Sequence, residues 1–118
     1  NSETYQAQKE MFNQLGDFVN KTTKPVLVAG DLNASSYSYS FDKMLSTTSL
    51  TDTRKGFGLQ ATWPSLLGHF GITLDHFLIS KKLMIVDRKV LQCIGSDHLP
   101  IILKVTNKKT ASVSREAV

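Results

Sequence analysis

The first interpretable pattern along the chain lies in residues 3–19. There Tyr5, Met11, Phe12, Leu15, Phe18 and Val19 recur near helical spacing, with Gln6, Lys9, Glu10, Asn13 and Asp17 between them. Apolar positions every three or four residues predict an amphipathic helix, and Ser2 or Thr4 would cap it. Residues 20–24 are polar, and Pro25 bars further helix while fitting the start of a strand. Residues 26–29 (Val-Leu-Val-Ala) are uniformly apolar and end at Gly30, which predicts a short strand buried on both faces. A helix feeding a strand points to a layered α/β fold.

A Ser- and Tyr-rich loop follows at 34–40, then a short helix at 41–46 with Ser40 as cap and Phe41, Met44 and Leu45 on its buried side. Residues 50–59 read as a connection in which Gly56 and Gly58 mark turns. Thr62-Trp63-Pro64 falls at a short strand or its end. The pattern at 72–80 is strand-like: alternation puts Asp75 with Phe77 and Ile79 on one face, and His76 with Leu74 and Leu78 on the other. Two more strands are expected at 84–91 and 101–105, the first set off from its predecessor by Lys81-Lys82. Residues 107–118 have no apolar period and read as a frayed tail, with a single domain occupying residues 1–106.

Composition narrows the class without changing this picture. A chain of 118 residues, 41% hydrophobic and 20% charged, is that of one globular domain. No apolar run approaches the ~20 residues that span a bilayer, and the N-terminal residues lack the basic and apolar regions of a signal peptide. The single cysteine, Cys93, excludes an internal disulfide and a thiolate zinc cluster, and it reads as a small apolar residue on a strand. A net charge of +4 and a pI near 9.3 favour an anionic partner, nucleic acid or an acidic lipid surface. The basic pairs Lys81-Lys82, Arg88-Lys89 and Lys108-Lys109 are dispersed and read as solvated surface.

Three segments carry the candidate chemistry: Gly30-Asp31-Leu32-Asn33, Leu74-Asp75-His76, and Gly95-Ser96-Asp97-His98-Leu99-Pro100. Each alone has a bland reading, as an Asx-turn, a hydrogen-bonded strand acid and a polar turn. Together they put acids at strand ends or inside apolar runs, where an unpaired carboxylate is costly, and the histidine offers the partner.

In this order the three segments resemble the C-terminal half of the endonuclease/exonuclease/phosphatase superfamily, which includes DNase I-like nucleases, abasic-site endonucleases, inositol polyphosphate 5-phosphatases and sphingomyelinases. The resemblance runs from about Pro25 to Val105, and Thr62-Trp63-Pro64 is similar to a Thr-Trp motif of bacterial members, some membrane-tethered. It implies an α/β (α+β) fold, half of a DNase I-like four-layer sandwich, with a mostly antiparallel sheet and helices on one face. It also implies metal-dependent cleavage of a phosphate ester by an activated water, the substrate being a nucleic acid or a phospholipid or phosphoinositide headgroup.

Carried over residue by residue, the resemblance makes His98 the group that contacts the scissile phosphate or carries a proton, with Asp75 accepting a hydrogen bond from its ring. Asp97 becomes an oxygen ligand for Mg²⁺ or Mn²⁺. Asp31 orients or deprotonates the attacking water, and Asn33 holds a non-bridging phosphate oxygen. His76 has a supporting or steric role, and His69 is a loop residue. Trp63 lines the substrate cleft, as Tyr37 and Tyr39 could.

The principal metal-binding Glu of the family and an early Asn belong to its N-terminal half. Here Glu3 and Glu10 fall on the first helix and Glu116 in the tail. The chain is therefore expected to be a half-domain, weak or inactive alone, with one sheet face open and a second copy able to cover it as a homodimer. The alternative is a catalytically incompetent half-domain that serves as an assembly module or a basic nucleic-acid-binding module.

Overall fold

The computed structural model describes residues 2–109; the expected tail beyond that lies outside the described residues. The elements run α1 (Ser2–Lys21), β1 (Leu27–Asp31), α2 (Tyr39–Ser46), β2 (Thr51–Asp52), a pair of tight helical turns (Ser65–Phe70), β3 (Asp75–Ile79), β4 (Leu83–Val90) and β5 (Ile101–Asn107). All strand pairing is antiparallel. The strands divide into two sheets: β1-β3-β2, and a β4-β5 hairpin whose register shifts between Ile85 and Asp87.

Both helices cover one face of the three-stranded sheet. Phe12 and Val19 of α1, Phe41 and Met44 of α2, and Leu78 of β3 form the core together with Leu32, Ala34 and Leu50. Of the apolar positions on α1, Phe12 and Val19 turn fully inward and Leu15 partly, while Tyr5, Met11 and Phe18 remain exposed. Gly16 of α1 faces Thr48, just past α2, with room for an ordinary van der Waals contact. The helices run in the same direction, since Gln8 meets Ser40 at one end and Asn20 meets the Thr47 carbonyl at the other.

Several sequence expectations are corrected. β1 is not buried on both faces: Leu27 is 48% exposed, because helices cover only one side of its sheet. The cap of α2 is Ser38, whose hydroxyl accepts from the Phe41 N–H, and not Ser40, which instead donates to Gln8. The 50–59 connection contains the short strand β2, and β5 runs on to Asn107 where a tail was expected. Cys93 lies exposed beyond the end of β4 and not on a strand. Arg88 is buried to 2%: its Nε donates to Thr53 Oγ1 (3.1 Å) and its Nη1 to Gln60 Oε1 (2.6 Å), tying the hairpin to the segment after β2. Burial lowers its pKa from the ordinary guanidinium value, with Asp52 countering. Among the described residues no helix is long and apolar enough to cross a membrane.

Candidate active site

The register of β1 against β3 does the first part of the assembly. Asp31, the last residue of β1, stands opposite Asp75, the first of β3, so two acids distant in sequence share one end of the sheet. Immediately beyond, the Asp31 Oδ1 accepts the Asn33 N–H at 2.8 Å, and Asn33 takes φ +50°. Asn is among the residues that tolerate this left-handed conformation, so the Asx-turn and the candidate site coexist in the same four residues.

His98 arrives from the 95–100 turn. Gly95, at φ +100°, supplies a conformation costly for other residues, and the His98 N–H donates to Ser96 Oγ at 3.2 Å. The imidazole Nδ1 lies 2.6 Å from Asp75 Oδ2, and Nε2 lies 3.8 Å from Asp31 Oδ2. The hydrogen bond to Asp75 is the largest cause raising the His98 pKa above its ordinary value, and the charges of Asp75, Asp31 and Asp97 add to it. His98 therefore has an imidazolium form favoured by its surroundings and an orientation set by a carboxylate.

Two further residues hold this pair in place: Thr62, read in the sequence as part of the Thr62-Trp63-Pro64 motif without a role of its own, and Ser65, which the sequence did not single out. Thr62, fully buried, accepts the Leu74 and Asp75 N–H groups on its hydroxyl (3.1 and 3.2 Å), and its carbonyl accepts the Leu99 N–H (2.8 Å). It thus fixes the backbone on both sides of the Asp75–His98 contact. Ser65 donates its hydroxyl to the Ser96 carbonyl and its N–H to the Asp97 carbonyl, both at 2.7 Å. On the opposite side, Gln8 of α1 donates to the carbonyls of Leu32 (3.3 Å) and Asn33 (3.0 Å). No local pattern marks Ser65 or Gln8, because their partners are distant in sequence.

Asp31, Asp75 and His98 bring one ligand atom each within 4.8 Å of one another and could hold a metal ion. Two carboxylates and an imidazole suit a divalent cation. Asp97, the expected oxygen ligand, is exposed and outside that group. Trp63 stands beside the site, 36% exposed, with its ring 6.5 Å from the His98 ring, and it closes a bridge to Ile72. Tyr37 is 73% exposed under the Arg54 guanidinium, and Tyr39 lines the groove between α1 and α2.

His76 points the other way from Asp75, into the core. It is 2% exposed, its Nε2 is 2.7 Å from the Ala34 carbonyl, and its ring packs on Phe41. Burial lowers its pKa, so Nε2 carries the hydrogen that Ala34 accepts, and Nδ1 is left buried without a partner. His69 lies exposed in the helical turns, its ring against Phe70.

The sequence model of the Endonuclease/Exonuclease/phosphatase family matches residues 2–98. No curated protein sequence matches the chain at a significant level. Among solved structures, it is similar to a mannosyl-6-phosphatase of Bacteroides thetaiotaomicron, with 17% identity and a TM-score of 0.67 over 84% of this chain and 44% of that one. A family protein of Bacteroides vulgatus gives 14% identity and a TM-score of 0.71 over 87% and 45%. One of Beutenbergia cavernae gives 19% and 0.61 over 85% and 31%. The chain thus spans less than half the length of these structures, consistent with half of their fold. The matched sequence and the shared fold lead to one conclusion: this chain belongs to the endonuclease/exonuclease/phosphatase family.

Proposed function

We propose that the chain contributes the Asp-His part of a metal-dependent phosphoesterase site, one that cleaves a phosphate ester with an activated water. The observation that carries the reading is the convergence of Asp31, Asp75 and His98 at one end of the sheet, with the imidazole tied to Asp75 at 2.6 Å. Family membership and the similarity of fold to a phosphatase support the reaction class.

In this reading Asp75 fixes the His98 ring, and Nε2 is the atom that faces the phosphate and delivers or accepts a proton. Asp31 orients the water or takes its proton. The Asn33 side-chain amide, beside Asp31, donates to a phosphate oxygen as negative charge grows on it. Asp31 and Asp75 supply oxygen ligands to a divalent cation, Mg²⁺ or Mn²⁺, with Asp97 as a further carboxylate at the rim. When bound, that cation neutralises phosphate charge. Trp63 lines the approach.

The test is hydrolysis of bis-p-nitrophenyl phosphate with Mg²⁺ or Mn²⁺ by the native chain and by His98→Ala. General acid-base groups contribute about 10²–10⁴-fold, so a loss of that order is expected. Equal background rates would sink the reading for this chain. A second reading, an assembly module that pairs with a second copy, draws on Leu27 (48%), Val86 (60%) and Ile102 (46%), exposed on the strands. A monomeric hydrodynamic radius at micromolar concentration would end it.

A further inference from the structure

Two of the basic pairs that read as dispersed in the sequence, Lys81-Lys82 and Lys108-Lys109, meet in the fold. Lys82 Nζ donates to the Thr23 carbonyl, and the Lys108 N–H donates to the Lys82 carbonyl at 2.9 Å. Beside them, the Ser80 N–H donates to the Val26 carbonyl (3.0 Å) and the Ser80 hydroxyl accepts the Val26 N–H (2.9 Å). These bonds bring Lys21, the last residue of α1, and Lys24, in the loop after it, to the same end of the molecule. All six lysines are exposed, so six of the chain's 14 Lys and Arg residues occupy one pole.

The pole holds no acid of its own. Residues 18–27, 79–86 and 104–109 contain neither Asp nor Glu. On its border, Asp87 is paired with Lys89, and Asp52 is buried beside Arg54, which leaves exposed Asp17, one turn before Lys21. Lys21, Lys24 and Lys81 enter no ion pair among the described residues. The candidate site lies at the other end of the sheet: the β1–β3 register sets Leu27 against Ile79 at the lysine end and Asp31 against Asp75 at the far one, about 13 Å away along the strand. Like charges gathered in this way repel, a cost that an anionic partner removes.

We propose that this pole is a docking surface for the phosphate backbone of double-stranded nucleic acid, separate from the candidate site. A duplex carries about one charge per 1.7 Å, and lysine is a compact point charge on a flexible stem, able to follow phosphates at varied spacing. The six cations are all lysines, so the rigid arginine fork that reads guanine edges has no part, and the contact is to backbone and not to sequence. A bilayer fits less well, because stable attachment joins charge to inserted apolar groups. Leu66 (93% exposed) and Phe70 (80%) belong to turns that Ser65 ties to the His98 turn, at the end of the molecule away from the lysines, and one flat surface cannot take both. Near the lysines the largest exposed apolar side chain is Phe18 (64%). The docking does not rest on the phosphoesterase reading, since it uses a different surface.

Binding of a fluorescein-labelled DNA duplex, followed by anisotropy in EDTA, isolates the pole from any metal-dependent event. Log affinity should fall linearly with log salt. Lys21→Gln, Lys24→Gln and Lys81→Gln together should flatten that slope by about 2–3 and weaken binding about tenfold or more at 0.1 M salt. The matched triple Lys9→Gln, Lys43→Gln and Lys55→Gln removes the same charge from exposed positions elsewhere and should keep affinity within about threefold, because screening limits its reach. Phe18→Ser and His98→Ala should bind as the native chain does. Absence of binding by the native chain at low salt would overturn the proposal, and so would equal losses in the two lysine triples, which would reduce the effect to net charge. A loss in His98→Ala as large as in the pole triple would place the duplex at the site instead. Preference for vesicles of equimolar phosphatidylcholine and phosphatidylserine over the duplex, with a loss in Phe18→Ser, would overturn it in favour of a membrane.

Discussion

His98 Nδ1 lies 2.6 Å from Asp75 Oδ2, across 23 positions of the chain. The first residue of β3 thereby fixes the orientation of an imidazole carried by a separate turn. The Asp75 hydrogen bond holds the His98 pKa above its ordinary 6.5 in the folded chain. The native state therefore binds more protons than the unfolded one in the interval above 6.5. The stabilisation from the pair is complete below 6.5 and is lost as pH rises through the folded His98 pKa. In metal-free Asp75→Asn, the His98 C2–H resonance should titrate at lower pH than in the native chain, and the pH slope of stability in that interval should flatten. An unchanged titration would contradict the pairing.

The metal reading makes an ordered prediction. Manganese binding followed by calorimetry should weaken about tenfold or more in Asp31→Asn, because affinity tracks the number of charged oxygen ligands. Asp97→Asn, outside the three-residue group, should cost less. The reverse order would move the centre of the metal site to Asp97.

His76 tests the support beneath the site. Replacing it with Phe keeps the ring against Phe41 but strips the Ala34 carbonyl of its donor, and a buried carbonyl left unpaired costs about 1–3 kcal/mol. Because burial depresses the His76 pKa, the unfolded chain takes up protons first as pH falls below 6.5, and native stability declines with acid. His76→Phe should show lower stability in urea at neutral pH and a shallower loss through this acid range. Full stability at neutral pH would mean that the Ala34 carbonyl finds another donor.

Gln8 reaches from α1 to the carbonyls of Leu32 and Asn33, so the helix steadies the turn that carries two candidate residues. Gln8→Ala leaves helix propensity intact, since Ala is the strongest helix former, and removes bonds worth about 0.5–1.5 kcal/mol each. Amide exchange at Asn33 should quicken while exchange along α1 stays as it was. Uniform acceleration through the chain would show that Gln8 acts on global stability and not on the turn.

Much of this was local and therefore legible in sequence. The apolar period of α1, the Gly and Pro boundaries around β1, and the alternation through β3 each follow from residues within one element. The three motifs were likewise readable as short strings, and their order was enough to suggest the family. Fully assigning burial required the fold. Leu27 is half exposed although residues 26–29 are continuously apolar, because whether a face is covered depends on what packs there. Arg88 looked like a surface charge and is buried, because Thr53 and Gln60 come from elsewhere to meet it.

The sequence by itself determined which side chains are available to the candidate site: three carboxylates, an imidazole and an amide, at strand ends or in the turn before β5. Only the tertiary structure decided which of them meet. The β1–β3 register set Asp31 against Asp75, and Thr62 held His98 over both, while the Asp97 carboxylate, adjacent to His98 in sequence, stayed outside. The physical reason is that a site is a set of distances at the ångström scale. Those distances are fixed by antiparallel hydrogen bonding and by buried hydroxyls between segments far apart in the chain, which no local pattern encodes.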